Sequence, residues 1–324
     1  MKIIKLISLV VLSCVILLLA YLFWPLSTTP HPASFHCYPI NKGTTVPLEK
    51  PKQIFGIGLS YAGHIKETAS RFSSTVAAPV FRKHARTMVY NNGKVRLPQS
   101  KELLQAIDAL EPGIAKKLRS KVKKLNALLD YEVELGFVLL EAISPKQFQD
   151  PTFVPKLGFF VANDLSARSL AILGEGRTHK HAYWGVSKSF PGFLPLTQKV
   201  WVPHKAQANG IPCIQLETKV NGVVRQKQQT NQMIYTPLQM IRFVHQKFPQ
   251  EPLEKGTVLL TGTPAGVAIQ TPRWMVRAAK LLGVGRFQKL AMKLKSNRSK
   301  FLKVGDTVTV SGQQLGAVKV KIVR

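Results

Sequence analysis

The segment Asp130-Tyr-Glu-Val-Glu-Leu135 constrains this chain more than any other. Tyr131, Val133 and Leu135 alternate with Glu132, Glu134 and Gly136, the period of a β-strand. That period puts Glu132 and Glu134 on one face, their stems roughly 7 Å apart. Like charges at this separation repel by about 2–3 kcal/mol at an effective dielectric near 20. The unbroken apolar run 137–140 follows directly and carries the strand towards a core. A divalent cation between the carboxylates would reverse the sign of the repulsion, so the strand points to a metal site.

Other short runs share the strand character: 215–220, 257–261, 307–310 and 317–323. Asn221-Gly222, between two β-branched stretches, signals a tight hairpin. Residues 101–129 read as helical and basic, with Leu103, Leu104, Ile107, Leu110 and Ile114 at helical spacing and a break at Pro112-Gly113. Many short strands with few helices predict a mixed α+β, β-rich fold. At 324 residues and 45% hydrophobic, the chain can bury a full core.

The N-terminus carries its own signal. Met-Lys-Ile-Ile-Lys precedes nineteen uncharged, mostly apolar residues, 6–24. At 1.5 Å per residue these would span about 28 Å, close to a hydrocarbon core. The run is too long for a signal peptide and lacks a clear small-residue cleavage site. It predicts a single-pass membrane anchor over 1–24 and a proline-rich linker over 25–50, leaving 51–324 as the catalytic domain. Lys2 and Lys5 lie before the span and Lys42 is the first cation after it. The N-terminus is therefore expected inside and the domain outside the cytoplasm.

The formal net charge is +30. It favours anionic partners such as phospholipid head groups, nucleic acid or acidic small molecules. Residues 271–303 hold ten Lys or Arg and no acid. Within them Phe287, Leu290, Ala291 and Leu294 oppose Arg286, Lys289 and Lys293, as in a helix lying on an anionic membrane or packed on the domain. The stretch lacks interleaved aromatics, which argues against nucleic acid. Of three cysteines, Cys14 falls in the apolar run. Only Cys37 and Cys213 remain to pair, and their spacing marks neither a metal site nor a disulfide framework.

Glu132 and Glu134 need a third ligand to hold a hard cation. Asp164, in Val161-Ala-Asn-Asp-Leu-Ser-Ala-Arg168, is the best placed. An all-oxygen set suits Mg²⁺, Mn²⁺ or Ca²⁺ rather than zinc. The competing reading is a solvated edge strand with surface charges. His64 and Glu67 stand three apart in Ser60-Tyr-Ala-Gly-His-Ile-Lys-Glu67, so in a helical turn their side chains meet. Glu67 could then orient His64 as a general base for water, or the pair could form a plain surface turn. Lys188, among apolar and small residues, could bind a substrate carboxylate or enolate or be merely exposed. Thr261-Gly-Thr-Pro-Ala-Gly266 makes a tight turn with free amides, but without a helix and a Walker lysine it is no nucleotide loop.

Together these pieces resemble the fumarylacetoacetate hydrolase family, in that family's order. The motifs are Ile54-Phe-Gly-Ile-Gly-Leu-Ser-Tyr-Ala-Gly-His, Asp-Tyr-Glu-Val-Glu-Leu, Val-Ala-Asn-Asp-Leu-Ser-Ala-Arg, Lys-Ser-Phe, Val-Asn-Gly-Val-Val-Arg-Gln and Leu-Leu-Thr-Gly-Thr-Pro-Ala-Gly-Val. They cover roughly 53–98, 128–269 and 301–322. The resemblance implies a rolled β-sheet fold, commonly dimeric, with Mg²⁺ or Mn²⁺ on Glu132, Glu134 and Asp164. It also implies a water-activating His64–Glu67 dyad on a mobile lid, with Lys188 and Thr263 contacting a small 2-oxo acid substrate. The implied activity is hydrolysis of a C–C bond in a 2,4-dioxo acid, with decarboxylase or isomerase chemistry as alternatives. A membrane-attached, non-catalytic member that binds lipid through its basic surface is the competing class. The chain departs from the family pattern at Ser60 (usually Asn), Gly63 (Asp), Ser169 (Asp) and Ala171 (Gln). The basic segments 101–127 and 271–300 lie outside the family's usual core.

Overall fold

The computed structural model describes residues 12–17, 20, 30–68, 70, 72–73, 75–90, 93–120, 124–270 and 300–324. Its centre is a nine-stranded mixed sheet. The main path runs Gly43–Pro47, Lys199–Pro203, Leu157–Asn163, Val133–Leu139, Val258–Leu260, Ile54–Ile57, Val80–Lys83, and Leu194–Leu196 joins Leu157–Asn163 to Met88–Tyr90. Val133–Leu139 and Leu157–Asn163 are buried at every position, because apolar side chains cover both faces of the sheet. Gly136 lies against the Phe160 ring and Gly56 against the Phe81 ring, so aromatics cross the sheet where a Cβ would collide.

A five-stranded sheet packs on this one, in the order Val223–Gln229, Gln215–Val220, Thr307–Gly312, Gly316–Val323, Gly93–Arg96. Its strands Thr307–Gly312 and Gly316–Val323 alternate. Val308, Val310, Val318, Val320 and Ile322 enter the shared core beside Leu135, Phe137, Phe159 and Val161, while Lys319 and Lys321 face out. The hairpin at Asn221-Gly222 forms as expected, with φ of +50° and +83°, the left-handed pair that a two-residue turn requires. The β-rich mixed fold expected from the strand pattern is the fold observed.

The basic stretch after residue 100 forms two helices, Ser100–Leu110 and Ile114–Arg119, parted at Pro112-Gly113 with Gly113 at φ +85°. Leu103, Leu104, Ile107 and Ile114 are buried, as their spacing predicts. The helix does not continue to 129. Leu125, Ala127 and Leu129 are buried without helical structure, and Leu129–Asp130 pairs with Ser166–Ala167.

The proline-rich stretch 25–50 also differs from expectation, since it contributes two strands. His36–Tyr38 pairs in parallel with Gly210–Pro212, and Gly43–Pro47 forms an edge of the large sheet. Proline is tolerated at such an edge, where a missing N–H breaks no ladder. Cys37 and Cys213 are disulfide-bonded, their Cα atoms 5.1 Å apart. Spacing gave no hint of this bond because 176 residues of chain separate the partners.

The membrane anchor expected over 1–24, and with it the placement outside the cytoplasm, is corrected. Among the described residues no helix is long and apolar enough to cross a membrane. Of that run the structure describes 12–17, which is helical. The rest of the run lies outside the described residues except Ala20, as does the amphipathic segment expected near 286–294.

Because the disulfide closes a long loop, it restricts the unfolded chain strongly. Cys37→Ser is expected to lower unfolding stability by about 2–5 kcal/mol, read from the denaturant midpoint under oxidising conditions. An unchanged midpoint would show the bond is not formed in solution.

Candidate active site

Glu132, Glu134 and Asp164 converge in the core. Each offers a carboxylate oxygen, all within 4.8 Å of one another, and all three residues are buried. Their approach depends on a break in the strand rather than on plain alternation, because Tyr131 and Glu132 fall between Leu129–Asp130 and Val133–Leu139. The Asn163 side-chain oxygen accepts from Glu132 N at 3.0 Å, and Asp164 N donates to Glu132 O at 2.8 Å. Two adjacent motifs thus fix each other's backbone.

Three cations compensate the carboxylates, Lys83 and Lys188 buried and Arg168 half-buried. The Lys188 ammonium donates to Glu132 Oε2 at 2.5 Å and to Asp164 Oδ2 at 2.6 Å. Lys83 donates to the other Asp164 oxygen at 2.6 Å and to the Lys188 carbonyl. Arg168 bridges Asp130, 2.9 Å from its Nε, and Glu132. Asp130 also accepts from the amides of Tyr131, Ala268 and Ile269 at 2.7–3.1 Å.

Glu134 has no cation of its own: among the described residues its hydrogen-bond donor is Gly262 N, at 2.8 Å. The pKa directions follow. Burial and the charges of Asp164 and Glu132 push Glu134 well above the usual carboxylate range, with Lys188 opposing. Burial also raises Asp164, but Lys188 and Lys83 outweigh it and hold that carboxyl low. Burial lowers Lys83 despite Asp164, whereas Lys188, between two carboxylates, is held above the usual lysine value against the same penalty.

The site therefore has four carboxylates against three cations, with the excess on Glu134. Carboxylates about 5 Å apart repel by about 3–4 kcal/mol at an effective dielectric near 20, a sum that a divalent cation reverses. Tyr61 OH, Ser60 Oγ and Asn163 Nδ2 are buried without a hydrogen-bond partner among the described residues. Such atoms are rare in folded proteins and call for a bound ligand or water. The oxygen donors, the unpaired Glu134 and these polar atoms fit a hard divalent cation with bound oxygen ligands.

His64 and Glu67 lie on the helix Ala62–Glu67, and His64 Nδ1 is 2.9 Å from Glu67 Oε1. The second Glu67 oxygen accepts from Gly266 N at 2.8 Å. Gly262 and Gly266 sit at φ +90° and +105°. A Cβ on Gly262 would lie 2.8 Å from Ile57 O, and one on Gly266 2.2 Å from Arg225 O, so only glycine lets both amides face the carboxylates. The turn 261–266 thus ties the acidic cluster to the His64–Glu67 pair. Thr263 lies on the same turn with its hydroxyl engaged, donating to Val133 O at 3.0 Å and accepting from Gln226 Nε2 at 2.8 Å.

The structure brings His64–Glu67, Lys188–Glu132–Asp164 and Glu134 to one end of the large sheet. Sequence reasoning gave no role to Lys83, Arg168, Asp130 or Gln226. Lys83 had a signal, since it shares a strand face with apolar Phe81 while Arg82 points out.

A sequence profile of the family described as "Fumarylacetoacetate (FAA) hydrolase C-terminal" matches residues 53–323. The chain belongs to this family. Among its relatives is the human mitochondrial oxaloacetate tautomerase, 28% identical over 288 residues, or 86% of this chain and 68% of that protein. A mitochondrial oxaloacetate decarboxylase of Dictyostelium discoideum is 27% identical over 232 residues, covering 71% and 88%. Fumarylpyruvate hydrolase from Pseudomonas aeruginosa, solved with Mn²⁺ and pyruvate, superposes at TM-score 0.54 and 17% identity, covering 93% of this chain and 98% of that one. A 5-carboxymethyl-2-hydroxymuconate delta-isomerase from Mycobacterium smegmatis gives TM-score 0.53 at 20% identity, covering 86% and 79%. At these identities the structural likeness is one of fold. Relatives within the family are named for enzymes of several reaction types.

Glu134 gives the site a pH signature. Its folded pKa lies above its unfolded value, so the metal-free fold is favoured below the ordinary glutamate range and loses that contribution as pH rises to the raised value. Glu134→Gln is expected to remove this loss and to make the metal-free chain more heat-stable at neutral pH. It should also abolish any rise in melting temperature on adding Mg²⁺. A variant that Mg²⁺ stabilises as much as wild type would rule out Glu134 as a ligand.

Proposed function

We propose that this chain is a metal-dependent hydrolase of a C–C bond in a 2,4-dioxo acid of the acylpyruvate or fumarylpyruvate type. Residues 51–324 are its catalytic domain, with basic insertions at 101–127 and 271–300. The observation that carries the reading is the shared turn 261–266, which fastens a His–Glu pair and an acidic cluster to one rigid element. A water base and an electrophilic centre on one frame are what hydrolysis of a β-diketone requires.

Glu132, Glu134 and Asp164 would hold Mg²⁺ or Mn²⁺. Bound there, the cation supplies Lewis acidity towards the carboxylate and 2-oxo oxygen of the substrate. His64, oriented by Glu67, takes a proton from water as that water adds to the 4-carbonyl. The C3–C4 bond then breaks, its electron pair passing to C3 and the 2-oxo oxygen, and a carboxylic acid leaves. Lys188 places a fixed positive charge beside the developing enolate, in a dry site where that charge acts strongly. Protonation of C3 completes pyruvate. Thr263 would border the substrate through its methyl and backbone, since its hydroxyl is engaged by Val133 and Gln226.

A second reading has a specific observation behind it, because relatives at 26–28% identity are named oxaloacetate tautomerases. Tautomerising or decarboxylating a 2-oxo diacid uses the same enolate stabilisation but needs no water attack.

Pyruvate release from acylpyruvates and tautomerisation of oxaloacetate should be measured with Mg²⁺ in wild type, Glu132→Ala and His64→Ala. Hydrolysis is expected to vanish in Glu132→Ala and to fall roughly 10²–10⁴-fold in His64→Ala. Full hydrolysis without His64 would refute the water-activating dyad. Tautomerisation alone, insensitive to His64, would select the second reading.

A further inference from the structure

Tyr61 precedes the helix Ala62–Glu67 and is held in place by its backbone. It bridges to Met233, and Ile234 N donates to the neighbouring Ser60 O at 2.9 Å. The residue is only 1% exposed. Its hydroxyl has no hydrogen-bond partner among the described residues, and neither has Ser60 Oγ. Packing alone does not account for this, because a phenyl ring would fill the same space without an orphaned polar atom.

The hydroxyl's surroundings show what it faces. Burial, reinforced by the Glu134 charge, holds the phenol protonated, so the group is a neutral donor close enough to Glu134 to feel it. Glu134 Oε2 is already taken by Gly262 N, and Ser60 packs on that glycine: a Cβ there would lie 2.8 Å from Ser60 Oγ. A donor with no acceptor among the described residues therefore lies within electrostatic reach of the cluster carboxylate that has no cation of its own. An oxygen of a bound anion would give the hydroxyl its acceptor, while a divalent cation would answer the Glu134 charge.

We propose that the Tyr61 hydroxyl is a substrate-contacting group that donates a hydrogen bond to an oxygen of the bound 2-oxo acid beside Glu134; this rests on the 2-oxo acid chemistry proposed above. Tyr61 would then work from the side of the Glu134 carboxylate, while Lys188 works from the side of Glu132 and Asp164. Its backbone anchorage to Met233 keeps the donor in position independently of the ligand.

The test compares wild type with Tyr61→Phe in three measurements: thermal unfolding of the metal-free chain, calorimetric titration of the Mg²⁺-loaded chain with oxalate, and steady-state kinetics. Oxalate serves as a planar stand-in for the pyruvate enolate. Tyr61→Phe is expected to melt at or above the wild-type temperature, to bind oxalate roughly 10- to 100-fold more weakly, and to lose kcat/KM by a similar factor. Unchanged oxalate affinity and kinetics would overturn the proposal. A lower melting temperature with unchanged oxalate affinity would also overturn it, leaving Tyr61 a purely structural role. If the wild type itself neither binds oxalate nor turns over a 2-oxo acid, the broader functional reading falls and this proposal with it.

Discussion

The structure depends on keeping four carboxylates and three cations out of water in one place. Burying any one of these charges alone would cost several kcal/mol. Asp130, Glu132 and Asp164 avoid that cost by direct pairing with Arg168, Lys188 and Lys83, and Asp130 also collects three backbone amides. Glu134 is left with one amide. This imbalance is costly for the fold by itself, and it matches the demand of a divalent cation.

Much of the architecture serves that cluster. Asp130 and Glu134 come from strands, Glu132 and Asp164 from the short connections beside them, Lys83 from the edge of the large sheet, and Arg168 and Lys188 from helix ends. The small sheet closes over Val133–Leu139 and sends Gln226 in to accept from Val133 N and hold Thr263. Gly262 and Gly266 then transmit the position of the cluster to the His64–Glu67 pair through two amides. The His64–Glu67 pair is thus placed beside the acidic cluster by two backbone amides of one turn, each bound to a glutamate carboxylate.

The sequence made the periodic parts legible. The Asn221-Gly222 hairpin, the alternating strands of the small sheet and the paired helices at Pro112-Gly113 follow from local chemistry, and the structure has them. Glu132 and Glu134 stood out because acidic residues beside an apolar strand run are costly, and the His64–Glu67 contact because residues three apart meet in a helical turn. What escaped was non-local. Lys83 meets Asp164 across 81 residues, and Cys37 meets Cys213 across 176, contacts that no local period encodes. Glu132 sits in a strand break that alternation cannot foresee. The N-terminal apolar run reads as a membrane span, whereas among the described residues no helix is long and apolar enough to cross a membrane.

The central claim is that Glu132, Glu134 and Asp164 hold one divalent cation. Calorimetric titration of the metal-free chain with Mn²⁺, in wild type and in Asp164→Asn, tests it most directly. The account predicts one site per chain in wild type and its loss in the variant. No saturable binding to the wild type, or binding that survives Asp164→Asn unchanged, would contradict it.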